Sequence, residues 1–297
     1  MSSPSQRLGA ALCLGSAAAF AGMGVFGKLA FDAGVGVLTL LFVRFAIAAP
    51  VFWLAVVSRR ALAGTPPRTV LIGLALGAVG YAAQAGLFFA ALTRLDVSLL
   101  SLLIYTYPTF VTVAAIALGG ETPSRRRIGA LLVSSGGVAL VLAGAGSAGF
   151  DALGAAMAVA AALTYTAYIL VCDTVRLEAL PLSALVTTGA AVTFGFTAVA
   201  TGSLDTGFET EGWLWLGMIA AVSTVAAIAL FFAGLRRVGP SMAAILSTVE
   251  PPVTVALAFM VFGEALTAVQ LLGGVLVLAA IVALNLPRSP APATSPG

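Results

Sequence analysis

The segment "AAILSTVEPPVTVALAFMVFGE", Ala243–Glu264, is apolar and long enough to cross a bilayer, which takes about 20 residues of helix. Yet Glu250 stands in its middle, followed at once by Pro251 and Pro252. A charge at the centre of hydrocarbon costs about 2.5–3.5 kcal/mol on insertion scales. Each proline also removes a backbone N–H, so the carbonyls of Ser247 and Thr248 lose their helical donors. The residue before a proline is biased away from helical geometry. The sequence therefore predicts a kink or opening at Glu250.

The rest of the chain has the same apolar character. Of 297 residues, 61% are hydrophobic and 8% charged, and the mean hydropathy is +1.12. Soluble domains carry roughly 25% charged residues, so lipid must be the solvent. Ten segments qualify as spans: 8–31, 35–57, 68–91, 95–118, 127–145, 152–172, 179–201, 212–235, 239–262 and 266–286. The fold class read from them is an all-α integral membrane protein with ten transmembrane helices. Short connections leave no room for a soluble domain. The Ser/Pro-rich ends, 1–7 and 287–297, read as disordered tails. The first segment is too long for a signal peptide, whose apolar core is about 7–15 residues.

Eleven of the fourteen Lys and Arg fall on one side if the spans alternate, namely Arg7, Arg59, Arg60, Arg68, Arg125, Arg126, Arg127, Arg176, Arg236, Arg237 and Arg288. Lys28 and Arg94 fall on the other, and Arg44 lies within a span. The positive-inside rule then puts both termini in the cytoplasm of a multi-pass plasma-membrane protein. Trp213, Trp215 and Trp53 fall near span ends and suit an interfacial belt. The basic pI of about 9.2 thus reflects membrane orientation; no nucleic acid is expected as a partner. Histidine is absent, and Cys13 and Cys172 each lie inside an apolar span. Neither a histidine-based triad, a disulfide framework nor a metal cluster is expected, and no cofactor. An enzyme is not expected.

The opening segment also has a counterpart. Residues 91–121, "ALTRLDVSLLSLLIYTYPTFVTVAAIALGGE", match 234–264 at one fixed offset in Leu, Arg, Ser, Pro and Gly-Glu positions, among them Arg94/Arg237, Ser98/Ser241, Pro108/Pro251 and Glu121/Glu264. A second match aligns 9–28 with 154–173 and pairs Lys28 with Asp173. The chain therefore divides into two five-span repeats, 8–145 and 152–286. Five is odd, so the second copy enters from the opposite side, giving an inverted repeat of the kind used for alternating access.

This duplicated Arg…Ser…Pro…Gly-Glu pattern, each copy followed by a Gly-bearing helix (Gly129; Gly273), resembles the EamA family of the drug/metabolite transporter superfamily over nearly the whole chain. The resemblance implies a ten-helix carrier, commonly an exporter of amino acids or related metabolites. The function expected is a secondary transporter exporting a small metabolite by alternating access, with proton coupling as one option. The alternative is a passive facilitator or channel for small polar or amphipathic solutes. The partners are a small-molecule substrate and the bilayer; a monomer and a homodimer are both compatible with the sequence.

Helix rise places Arg44 about 13 Å and Glu250 about 16 Å into a core about 30 Å thick. These two charges lie near the midplane. Either they neutralise each other and lock two helices, or they border a watery cavity in which Arg44 attracts a substrate carboxylate and Glu250 binds an amine or a coupling proton. The repeat places Tyr107 opposite Glu250 and Pro108 opposite Pro251. Tyr105, Tyr107, Gln84 and Tyr165 are further substrate-contact candidates, and Pro108, Pro251 and Pro252 are hinge candidates. Lys28 reads as snorkelling to the headgroups. Glu121 and Glu264 read as serving the turn into the next helix. The Gly73-Gly77-Gly80 and Gly136-Gly137 faces read as close helix packing.

Overall fold

The computed structural model describes residues 4–119, 124–144, 151–175 and 177–285, with the backbone alone at 240, 241 and 285. All regular structure among these residues is helical. In chain order the helices are α1 (Pro4–Asp32), α2 (Val37–Ser58), α3 (Pro67–Leu92), α4 (Val97–Ala117), α5 (Arg125–Gly144), α6 (Ala152–Thr174), α7 (Ala179–Ala200) and α8 (Thr210–Val238). They continue with α9, in two segments (Pro240–Ser247 and Glu250–Phe262), and α10 (Ala268–Asn285). Among the described residues nine are long and apolar enough to cross a membrane, and α10 carries a shorter apolar stretch, Ala268–Leu284. Helices suit these sequences because hydrocarbon offers no partner for a free N–H or C=O.

Helix ends follow local chemistry. Asp151 caps α6, its side chain accepting from the Gly154 N–H at 2.7 Å. Thr267 and Gln270 form a reciprocal capping pair at α10: the Thr267 N–H donates to Gln270 Oε1 at 2.9 Å and the Gln270 N–H to Thr267 Oγ1 at 3.2 Å. α1 starts at Pro4, so residues 4–7 continue the first helix instead of forming a tail; proline's fixed φ suits a first helical turn. The rest of that tail and the whole 287–297 tail lie outside the described residues, as does Glu121.

Packing pairs the halves. α5 lies along α10, α2 along α7, α4 against α9, α1 along α8 and α3 along α6. Adding or subtracting five from each helix number maps this set onto itself. Two interfaces are set by glycine. A methyl on Gly137 of α5 would lie 2.7 Å from the Gly273 carbonyl of α10. On Gly77 of α3 and Gly189 of α7 it would overlap backbone of the other helix, at Val186 and Leu74. Gly73 meets Leu185 and Gly80 meets Tyr168, as the packing reading expects, but Gly136 faces open space. Its neighbour Gly137 already takes the contact, and adjacent helical positions point apart. The tryptophans divide likewise. Trp213 is exposed, but Trp215 stacks on Phe26 at 6.1 Å and Trp53 donates to Thr188 Oγ1 at 2.8 Å.

Four helical irregularities come in two repeat-related pairs. α4 breaks between Ile104 and Tyr107, and α9 between Ser247 and Glu250, positions 143 residues apart. Pro108 and Pro251 fall in the first turn of the resumed segments, where the missing N–H has no helical partner to lose. α3 and α8 each carry one π-helical turn, Leu76–Tyr81 and Ala221–Ala226, 145 residues apart. Such turns carry no proline or other marker here, and the sequence gives no sign of them.

Candidate functional site

A cavity of about 150 Å³ lies at the level of the two breaks, lined by α1, α2, α3, α4, α6 and α9. Arg44, Gln84, Tyr105, Tyr107, Tyr165 and Glu250 all line it. Residues drawn from five helices and both halves thus converge on one space. The apolar part of the wall includes Phe20, Met23, Phe88 and Phe89.

Glu250 opens the second segment of α9, where a carboxylate favours the helix N-terminus. Its Oε2 accepts from the Tyr105 hydroxyl at 2.7 Å. The same hydroxyl lies 3.1 Å from the Ser247 carbonyl, which is the carbonyl that Pro251 deprives of a donor. The hydroxyls closer in sequence serve other groups. Ser247 donates to Ala243 O at 2.9 Å and Thr248 to Ile245 O at 2.6 Å. The break in α9 is thus satisfied from α4, across the repeat interface. Pro252 is exposed and Pro251 buried.

Arg44 is 1% exposed. Its Nε donates to Thr224 Oγ1 at 2.8 Å, and its guanidinium lies over Phe45 at 4.8 Å and Phe89 at 5.7 Å. Thr224 sits in the π turn of α8 and donates to the Ile219 carbonyl five residues back, at 2.9 Å. The π turn thereby presents the threonine oxygen to Arg44. Nη2 has no hydrogen-bond partner. The three ion pairs between described residues do not include Arg44 with Glu250. The neutralising pair weighed from sequence is therefore not formed: Thr224 and the flanking rings hold Arg44, and Tyr105 holds Glu250.

All five tyrosines of the chain form one contiguous cluster. Tyr105 meets Tyr107 at 5.9 Å, Tyr107 meets Tyr165 at 4.8 Å, Tyr165 stacks on Tyr168 at 6.0 Å, and Tyr168 meets Tyr81 at 5.4 Å. The ring faces offer a quadrupole attractive to a cation, beside the Glu250 carboxylate. Gln84 lines the cavity and makes no hydrogen bond among the described residues. Sequence reasoning missed Tyr81 and Thr224. Nothing about either residue alone marks it; Thr224 acquires its role through the π turn.

Comparison with known proteins agrees with this architecture. The profile of the EamA-like transporter family matches the chain twice, over residues 7–143 and 152–286. An uncharacterized transporter of Archaeoglobus fulgidus is 27% identical over 223 residues, covering 74% of this chain and 77% of that protein. A solved crystal structure superposes with a TM-score of 0.67 at 16% identity, covering 93% of this chain and 96% of the other; it bears on the fold alone. With two family matches spanning nearly all of the ten helices, the chain belongs to the EamA-like transporter family.

Proposed function

We propose that this family member is a secondary transporter exporting a small metabolite of the amino-acid class by alternating access, with Glu250 as the group that binds a coupling proton or the substrate amine. The observation that carries the reading is that two midplane charges, Arg44 and Glu250, face one cavity between the halves without pairing to each other. A zwitterion complements that arrangement. Its carboxylate would be drawn to Arg44, and its ammonium to Glu250 and the tyrosine faces. The orientation follows the asymmetry of basic residues, with both termini cytoplasmic in the plasma membrane. The two repeats, related by inversion, would rock about the breaks in α4 and α9.

The Tyr105 hydroxyl supplies a link between protonation and backbone. It carries one proton and faces two acceptors, Glu250 Oε2 and Ser247 O. An ionised Glu250 takes that proton as a hydrogen bond. A protonated Glu250 frees the hydroxyl for the Ser247 carbonyl, and so changes how the α9 break is held. Tyr105 would thereby transmit the charge state of Glu250 to the hinge.

The test is uptake of radiolabelled amino acids into proteoliposomes holding the full chain, with and without a pH gradient. Wild type is expected to concentrate substrate under a gradient, and Glu250→Gln to lose that drive by about 100-fold, the scale of a positioned proton-transfer group. Glu250→Gln accumulating substrate at the wild-type rate would remove the coupling role. A wild type that only equilibrates substrate would make the protein a passive facilitator.

A further inference from the structure

The cavity does not stop at the breaks. Along α4 its lining runs from Tyr107 back to Val97, the first residue of the helix. That end lies on the face opposite the termini, and an unforeseen cluster sits there. Glu264 follows α9, and its carboxylate is filled by four donors. Oε1 accepts from Lys28 Nζ at 2.9 Å and from the Val97 N–H at 3.1 Å. Oε2 accepts from the Ser98 N–H and the Ser98 hydroxyl, each at 2.9 Å. Lys28 also lies 3.7 Å from Asp96 and 4.8 Å from the centre of the Phe262 ring. So Glu264 caps α4, a helix of the other half, and not α10, which Thr267 and Gln270 cap. Lys28 is engaged in this cluster instead of reaching for headgroups.

Three walls of the cavity meet at this carboxylate: α1 through Lys28, the start of α4 through Val97 and Ser98, and α9 through Glu264 itself. Val97 both lines the cavity and donates to Glu264. The cluster also joins the two halves, since Lys28 and α4 belong to the first repeat and Glu264 to the second. Its burial is graded: the Glu264 side chain is 7% exposed and that of Lys28 27%. A pair with one wet flank can exchange its partner for water without stranding a charge in hydrocarbon. Burial alone would raise the Glu264 carboxyl. The hydrogen bonds from the Ser98 N–H, Lys28, the Val97 N–H and the Ser98 hydroxyl outweigh that and hold it below the usual carboxylate range. The Glu264 carboxyl is therefore ionised at neutral pH. In the sequence, the repeat position equivalent to Lys28 is Asp173, so the second repeat carries no matching lysine.

We propose that Lys28 and Glu264 form the gating latch of the transport cavity: joined, with Glu264 capping α4, they close the end opposite the termini, and their separation admits solute there. The latch rests on the alternating-access reading above, but its test needs no substrate. Ser101 lines the cavity on α4 and is 7% exposed. In the full chain carrying Cys172→Ala, Ser101→Cys gives a reporter, and native Cys13, 0% exposed, gives an internal control for unfolding. The readout is the rate of modification of residue 101 by a charged methanethiosulfonate reagent, located by mass spectrometry.

Lys28→Met removes the ion pair and leaves the α4 cap. It is expected to raise the rate about tenfold, the scale of one charge-assisted hydrogen bond. Lys28→Arg should return it to within about twofold of the parent, since it keeps the charge pair. Equal rates in the parent and Lys28→Met, or a matching rise at Cys13, would overturn the latch. A latch response in a protein that carries no solute would sink the transport reading and leave the latch standing. Carriage with no latch response would do the reverse.

Discussion

The interface of α2 with α8 and that of α3 with α7 are the same interface by repeat position, yet they are filled in opposite ways. At α3–α7, Gly77 and Gly189 bring two backbones into the closest approach the chain makes there, with no room for a methyl group. At α2–α8 the contact is instead made by a buried side chain: Arg44 Nε meets Thr224 in the π turn. In α3 the π-turn position matching Thr224 is Val79, which is 70% exposed. The breaks in α4 and α9 differ in the same manner. Tyr107 matches Glu250, and Tyr105 matches Thr248. The backbone irregularity is shared by the repeats, while the side chains at matched positions differ. A duplicated scaffold keeps its hinges in register and still presents an asymmetric cavity, with a cation from α2, an anion from α9 and phenols from α3, α4 and α6.

The contrast between the two interfaces can be broken most strongly from the glycine side. Gly189→Ala sets a methyl against the Leu74 carbonyl, a backbone atom that cannot swing away. Unfolding in detergent should show a loss of about 3 kcal/mol, whereas Gly136→Ala, facing open space, should hold or gain stability. A Gly189→Ala variant as stable as the parent would mean that the close approach is not needed.

On the arginine side the expected effect is smaller. Thr224→Val leaves Arg44 Nε as a second buried donor without a partner, at about 1–3 kcal/mol. Thr224→Ser should recover most of that, and in transport assays the valine variant should raise KM more than it lowers kcat. Equal behaviour of serine and valine would show that the hydroxyl is not what holds Arg44.

The two breaks sharpen the comparison further, through two hydroxyls at matched positions. Tyr105→Phe strips a donor from both Glu250 and the Ser247 carbonyl, and is expected to cost about 1–3 kcal/mol. Its repeat partner Thr248 donates only to Ile245 O within its own segment, so Thr248→Val should cost less than about 0.5 kcal/mol. Similar thermal shifts for the two would erase the asymmetry read from the geometry.

Much of this was legible beforehand. Hydropathy located the ten helices to within a few residues of their observed ends. Proline placed both breaks, because a missing N–H acts wherever the chain goes. Helix rise put Arg44 and Glu250 at similar depth, and they line one cavity. The π turns were not legible, since no local residue demands them. The partners of Glu264 and Lys28 were not legible either. Gly-Glu at a helix end suggests a cap for the next helix, but Thr267 and Gln270 already serve α10, leaving the Glu264 carboxylate to the start of α4.

By itself, the sequence determined which segments dissolve in lipid, where their backbones must break, and that the pattern occurs twice. Those are local consequences of hydrogen bonding and transfer free energy, settled within a turn or two of helix. The tertiary structure alone decided that Arg44 takes Thr224 instead of Glu250, that Tyr105 satisfies a carbonyl on α9, and that the five tyrosines meet. Those choices depend on how each helix is rotated and how closely it approaches its neighbour. Rotation and approach are set by glycine contacts and π turns in helices far apart in the chain, so no single segment contains them.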